Sequence, residues 1–184
     1  MSNYFTQAGS FLVSTIIGLY ITIVVIRFLF QWVRADFHNP ISQFVVKATN
    51  PLLIPMRRFI PGLFGLDMSA LVLAYLLQVL ELFLLFFISE TQAPILLIFW
   101  SAIGQLITLF LYVFLIAILV QAVASWISPG NYNPMLALVN QLTEPVLRPA
   151  RKMLPPFSGL DLSPLLVIIV INLLIMLVPV LFSS

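Results

Sequence analysis

Apolar residues along this chain gather into four long runs, covering residues 11–33, 66–88, 95–127 and 160–182. About 20 helical residues cross a hydrocarbon core, so each run predicts one transmembrane helix. The third run is longer than one crossing needs. Residues 95–104 read equally as a helical extension, a tilt or an approach along the interface. The segments between, 39–61 and 133–155, are not ordinary hydrophilic loops. In the first, Ile41, Phe44, Val45 and Ala48 fall on one helical face, with Ser42, Gln43 and Lys47 opposite. In the second, Leu138, Val139 and Leu142 repeat the stripe against Asn140, Gln141 and Glu144. This is the pattern of a short helix lying flat at headgroup level. Asn39-Pro40 and Asn133-Pro134 are suited to start such helices, Asn as the cap and Pro at the first helical position. Pro51 and Pro145 are expected to stop them, because proline disfavours helix in the residue before it.

The two patterned segments are copies of each other. NPISQFVVKATNPLLIPMRRFIPGLFGLDMSAL, starting at Asn39, meets NPMLALVNQLTEPVLRPARKMLPPFSGLDLSPL, starting at Asn133, at a shift of 94 positions without a gap. The match includes Thr49/Thr143, Arg57/Arg151, Gly65/Gly159, Asp67/Asp161, Ser69/Ser163 and four prolines, with Trp32/Trp126 upstream. Such a register marks a tandem duplication. The expected architecture is an all-α membrane protein of two repeats, 1–92 and 93–184. Each repeat has a span, an interfacial amphipathic segment and a second span.

Composition sharpens the class. Of 184 residues, 62% are hydrophobic and 8% charged, with a mean hydropathy of +1.16. A soluble domain carries about a quarter charged residues, so the solvent that fits this chain is lipid. It has no cysteine, which removes disulfides and thiolate chemistry, and its one histidine, His38, is too few for a histidine metal cluster. No polybasic nucleic-acid arm is present. The first ten residues carry no Lys or Arg, so the first run is expected to be a retained span rather than a signal peptide.

The basic residues orient the spans. Arg27, Arg34, Lys47, Arg57, Arg58, Arg148, Arg151 and Lys152 all lie in the two patterned segments or on the first span and the link that feeds the first of them. Short Lys/Arg-rich loops stay cytoplasmic. Both termini are therefore expected outside the cytoplasm, and the repeats are parallel rather than inverted copies. The pairs Arg57-Arg58 and Arg151-Lys152 read as topology determinants that meet anionic lipid, or as a docking site for a protein partner.

Polar groups inside the runs are the other candidates. Arg27, Gln78, Glu81, Gln121 and Asn172 interrupt apolar sequence, and an intramembrane ionisable group is a functional-site hypothesis by default. The repeat pairs Arg27 with Gln121 and Gln78 with Asn172. At ~1.5 Å per residue, Arg27 lies roughly 10 Å and Gln78 roughly 16 Å from the cytoplasmic ends of their spans, a difference an arginine side chain spans. Two readings stand: hydrogen-bonded glue between helices, or a conduction or regulatory site. Glu81 is matched by Ile175, which argues against an ion site built symmetrically from both halves. Ser10, Ser14, Gly18 and Thr22 form a small-residue stripe suited to close helix contact, within the chain or against a partner; its absence from the second repeat leans toward a partner. Asp67 and Asp161 sit where helix caps are needed, as do Ser69 and Ser163, and the residues do not choose between Asp and Ser. No Ser/His/Asp set, zinc-protease motif or Gly-rich phosphate loop accompanies the two carboxylates, so no enzyme and no cofactor is expected.

A tandem NPxxxxVxxxTxP motif, each copy running on through a cationic, proline-marked stretch to GxDxSxL and a span, resembles the YggT family of bacterial inner-membrane proteins, whose Gram-positive and plastid relatives are called YlmG. Ala70 stands where the second copy has Pro164, and Lys152 stands beside Arg151 where the first copy has two arginines. The resemblance implies a multi-pass inner-membrane protein, linked with osmotic-stress tolerance and potassium uptake. In plastid relatives the links are to cytochrome-complex maturation and to nucleoid or division organisation. The resulting expectation is a non-enzymatic helper that binds inner-leaflet anionic lipid and a membrane-protein partner or further copies of itself. The alternative is an oligomeric channel or transport component acting on potassium.

Overall fold

The computed structural model describes residues 2–63, 65–91, 93–127, 133–153 and 161–182. Among these are six helices and no strand: α1 (Ser2–Trp32), α2 (Pro40–Met56), α3 (Met68–Ile88), α4 (Ile95–Ile127), α5 (Pro134–Met153) and α6 (Ser163–Phe182). Four of them, α1, α3, α4 and α6, are long and apolar enough to cross a membrane. Helix is what such sequence must form there, since it alone satisfies the backbone of a single span from within. The chain is a multi-pass membrane protein.

The spans come in two lengths. α3 and α6, with 21 and 20 residues, are ~30 Å long, close to the thickness of a hydrocarbon core. α1 and α4, with 31 and 33 residues, reach ~46–50 Å and must tilt or emerge. α1 begins well before the apolar run, because nothing in the polar stretch at residues 2–10 breaks a helix. α4 is uninterrupted, so 95–104 continues into the third span as one helix.

Within each half the two spans pack on each other, α1 on α3 and α4 on α6, and the middle helix packs on the first span, α2 on α1 and α5 on α4. The halves meet chiefly through α3 and α4, with α1 also touching α4 and α5. The main core joins Ile21, Val24 and Leu29 of α1 to Leu53 of α2 and Leu73 of α3, with Leu106 of α4 and Leu142 of α5 contributed across the junction. A second core gathers Ile118, Leu147, Ala150, Val167 and Ile171 in the second half. The remaining faces of the spans present large apolar side chains outward, among them Phe87, Leu96 and Met176. A contiguous surface of that kind is stable against acyl chains and unstable against water.

The middle helices differ from the sequence pattern in two respects. First, α2 continues through Pro51 and Pro55, and α5 through Pro145 and Pro149. Each ring deletes one intrahelical N–H and crowds the carbonyl four residues earlier. Donors from α1 reach carbonyls on either side of the one that Pro51 leaves open, that of Lys47: the Tyr20 hydroxyl donates to the Ala48 carbonyl (3.2 Å) and Arg27 Nη1 to the Val46 carbonyl (3.1 Å). Second, the buried stripe of α2 is Ser42, Val45, Thr49 and Leu53, while Ile41 and Phe44 face outward. The helix is rotated so that the Thr49 hydroxyl meets α1. In α5 the pattern of the sequence holds: Leu138 and Leu142 are buried, and Asn140, Gln141 and Glu144 are exposed. Pro155, Gly159 and Leu160 lie outside the described residues, and with them the end of the second patterned segment and the start of the fourth run.

Candidate functional site: two elbows and an amide cluster between spans

In each half a threonine of the middle helix is tied to a polar side chain of the first span. In the first, Arg27 is 7% exposed, and its Nη1 donates to Thr49 Oγ1 at 2.9 Å; that hydroxyl in turn donates to the Val45 carbonyl at 2.7 Å. In the second, Gln121 meets the Thr143 hydroxyl, which lies 2.9 Å from the Val139 carbonyl. Arg27 and Gln121 are 94 positions apart, and so are Thr49 and Thr143. An amide can turn either end toward a hydroxyl. With its NH2 inward, Gln121 would give the same relay as Arg27, without the charge. The expected reach of Arg27 toward Gln78 is therefore not what the fold uses: Arg27 turns sideways to the middle helix.

The middle helix and the link that returns it to the second span form an elbow in each half, and a second tie closes each elbow at its far end. Arg57 Nε donates to Asp67 Oδ2 at 2.9 Å, and Nη2 bonds the same oxygen. Arg151 Nε donates to Asp161 Oδ2 at 3.0 Å, and its Nη1 to Glu144 Oε2 at 2.8 Å. Asp67 is buried whereas Asp161 is 41% exposed. Burial works against the Asp161 charge. Hydrogen bonds from the Ser163 hydroxyl and backbone N–H, together with the Arg151 guanidinium, overcome it and hold the carboxyl below its ordinary range. Burial likewise opposes the Arg151 charge, and Asp161 and Glu144 more than offset it.

These ties decide how the caps work. Asn39 Oδ1 accepts from the Ile41 N–H and Asn133 Oδ1 from the Met135 N–H, both at 2.9 Å, the standard N-cap bond. Asp161 accepts from the Ser163 N–H at 2.9 Å in the same manner. Asp67 stands at the cap position of α3 but makes no cap bond, its carboxylate being held by Arg57. Ser69 donates instead to the Ile60 carbonyl at 3.1 Å. The Asn39 side chain also donates to the Pro134 carbonyl at 2.7 Å, and Gln141 accepts from the Asp36 N–H at 3.2 Å. The starts of the two elbows are thus joined.

Inside the bundle, Gln78 Nε2 donates to Glu81 Oε2 at 3.1 Å and to Gln105 Oε1 at 2.9 Å, with Gln78 and Glu81 both buried. Gln105 has no counterpart amide, since Phe11 matches it. Its only signal in the sequence was an amide inside an apolar run. Gly18 lies over this cluster, where a Cβ would come within 3.9 Å of Glu81 Oε1. At Gly18, then, the small-residue stripe faces α3. Ser14 and Thr22 bond carbonyls of their own helix, Phe11 and Gly18, and Ser10 is half-buried. Asn172 is exposed on α6 and donates to its own Ile168 carbonyl at 2.8 Å.

Of the six elbow cations, Arg57 and Arg151 are spent on the ties. Lys47, Arg58, Arg148 and Lys152 are exposed and pair with no carboxylate among the described residues. Asp67 and Asp161 are each held by an arginine, so neither carboxylate stands free to act as a general base. The arrangement has the chemistry of an anion-facing surface.

The CCB3/YggT family model matches residues 6–88 and again residues 100–182. An uncharacterized protein of Pseudomonas aeruginosa is 45% identical over 180 residues, covering 93% of this chain and 88% of its own length. The uncharacterized protein YggT of Escherichia coli K12 is 40% identical over 165 residues, 88% of this chain and 84% of that one. An uncharacterized protein of Haemophilus influenzae is 32% identical over 159 residues, with 86% and 84% covered. No solved structure matches. With both halves matched and relatives similar over most of their length, this chain belongs to the CCB3/YggT family.

Proposed function

We propose that the protein is a non-enzymatic scaffold of the bacterial inner membrane. In this reading α2 and α5 rest on the cytoplasmic leaflet and dock anionic lipid together with a partner membrane complex, whose assembly or osmotic adaptation they support. The observation that carries it is the division of labour among the elbow cations. Arg57 and Arg151 hold the elbows shut. Lys47, Arg58, Arg148 and Lys152 face outward beside exposed apolar side chains such as Phe44, Phe59 and Met153. Cations at headgroup level with apolar neighbours below them fit phosphate above and acyl chain beneath. A photocrosslinker placed at Arg58 and at Lys152 in native membranes tests this. Capture of phospholipid and one reproducible membrane protein is expected. Capture of neither, or of lipid alone, overturns the partner half of the reading.

The Gln78–Glu81–Gln105 cluster, buried at Gln78 and Glu81 and exposed at Gln105, favours one alternative, an oligomeric ion path through which potassium passes. It predicts cation flux into liposomes carrying the pure protein, lost in Glu81→Ala. Flux that is absent, or unchanged in that variant, removes it.

A further inference from the structure

The contact that joins the halves leaves an open counterpart at each end of the chain. α3 meets α4 through Leu82, Ile98 and Ala102, with Tyr75, Val79 and Phe86 packed against them. Across the same contact Gln78 bonds Gln105, and the Tyr75 hydroxyl donates to the Phe99 carbonyl at 3.2 Å. At a shift of 94 positions the α3 side of this contact becomes Ile169, Asn172, Leu173, Met176 and Val180 of α6. Leu82 is 7% exposed, but its counterpart Met176 is 71% exposed; Ile169, Leu173 and Val180 are each more than half exposed, and Asn172 is exposed as well. The α4 side becomes Tyr4, Phe5, Ala8 and Phe11 of α1, all exposed. A chain closed on itself by an internal two-fold would set α1 on α6, as α4 sits on α3. The exposure of both faces excludes that closure.

We infer that these two faces dock between copies: α1 of one molecule packs on α6 of the next as α4 packs on α3 within a chain. The occupant is a second copy of this chain because the template for the interface is already built inside the molecule. Asn172 supports it, since an amide facing lipid on a span gains when it finds a polar partner on a neighbouring helix. Phe11 replaces Gln105, and Gln7, exposed one turn earlier on the same face, is the nearest amide offered to Asn172 in the docked pair. The contact is head-to-tail, so it builds rings or open rows rather than two-fold dimers. It does not depend on lipid docking by the elbows.

The chain lacks cysteine, so disulfide trapping reads the interface directly. Tyr75 and Phe99 have ring centroids 6.5 Å apart, and their counterparts are Ile169 and Phe5. In native membranes under oxidant, a tagged Phe5→Cys chain and an untagged Ile169→Cys chain are expected to cross-link to each other and not to themselves. The double variant is expected to shift from monomer to a series of higher species. Phe5→Cys with Leu174→Cys, on another face of α6, should stay monomeric. Tyr75→Cys with Phe99→Cys should close within one chain, reporting that the template contact is formed. The inference is overturned if Ile169→Cys links to itself, if the Leu174 pair links as readily, if no intermolecular product forms, or if the intrachain control fails.

Discussion

Residues 94 positions apart carry unequal loads. Arg57 neutralises a buried carboxylate, whereas Arg151 faces one that is two-fifths exposed. Removing one partner of a buried pair leaves an uncompensated charge, at a cost of ~3 kcal/mol, while an exposed pair contributes under ~1 kcal/mol. Arg57→Ala should therefore lower the unfolding temperature in mild detergent far more than Arg151→Ala. Equal losses would show that Asp67 is hydrated in the membrane-bound protein. The same asymmetry applies to the relays: Thr49→Val removes an acceptor from a buried guanidinium, worth ~1.5–3 kcal/mol, and Thr143→Val removes a neutral bond worth ~1 kcal/mol. Thermal unfolding of the two variants checks the order. Asp161 adds a pH signature. Its carboxyl titrates below the ordinary value of 3.8, so the unfolded chain takes up the proton first. The stabilisation is complete above that ordinary value and is lost as pH falls through the depressed one. Asp161→Asn should remove this part of the acid sensitivity, measured as unfolding temperature against pH.

At the scale of elements, capping and linkage coincide at α2. Asn39 caps its helix and also reaches the Pro134 carbonyl, while Asn133 makes the cap bond alone among the described contacts. A lost cap costs ~1 kcal/mol, and the extra bond adds ~1 kcal/mol. Asn39→Ala should thus destabilise the protein about twice as much as Asn133→Ala in a denaturant titration; the reverse order would place the link between halves elsewhere. The caps were legible because Asn-Pro is a local signal. So were the spans, since an apolar run of 20 residues has one outcome in lipid. The rotation of α2 was not legible. The sequence sets Ser42 and Val45 on opposite faces, yet both are buried with Thr49, whose hydroxyl meets Arg27 of α1. The proline breaks misled because the stop is a local bias on the residue before the ring, and both helices run on through their prolines. Gln105 was missed although it carries the same signal as Gln78, an amide inside an apolar run.

For the whole molecule, the decisive question is which side of the membrane the elbows occupy. The cation bias fixes this expectation, and the fold makes it testable at well-chosen sites. Lys47 and Glu144 lie on the outward faces of α2 and α5. Leu142, by contrast, is 5% exposed and points into the main core, so a label there would report burial rather than side. Glu90, exposed in the turn between α3 and α4, marks the opposite end of the spans. Four crossings alternate the ends, so Glu90 and the elbows must answer in opposite senses. An impermeant maleimide added to intact cells should label Glu90→Cys and leave Lys47→Cys and Glu144→Cys untouched until the membrane is opened. Labelling of both elbow positions from outside would invert the protein. The cationic surface would then face away from the anionic cytoplasmic leaflet, and lipid docking by Lys47, Arg58, Arg148 and Lys152 would lose its physical basis. The head-to-tail contact between α6 and α1 would survive, because it lies within the bilayer and is indifferent to which side is which.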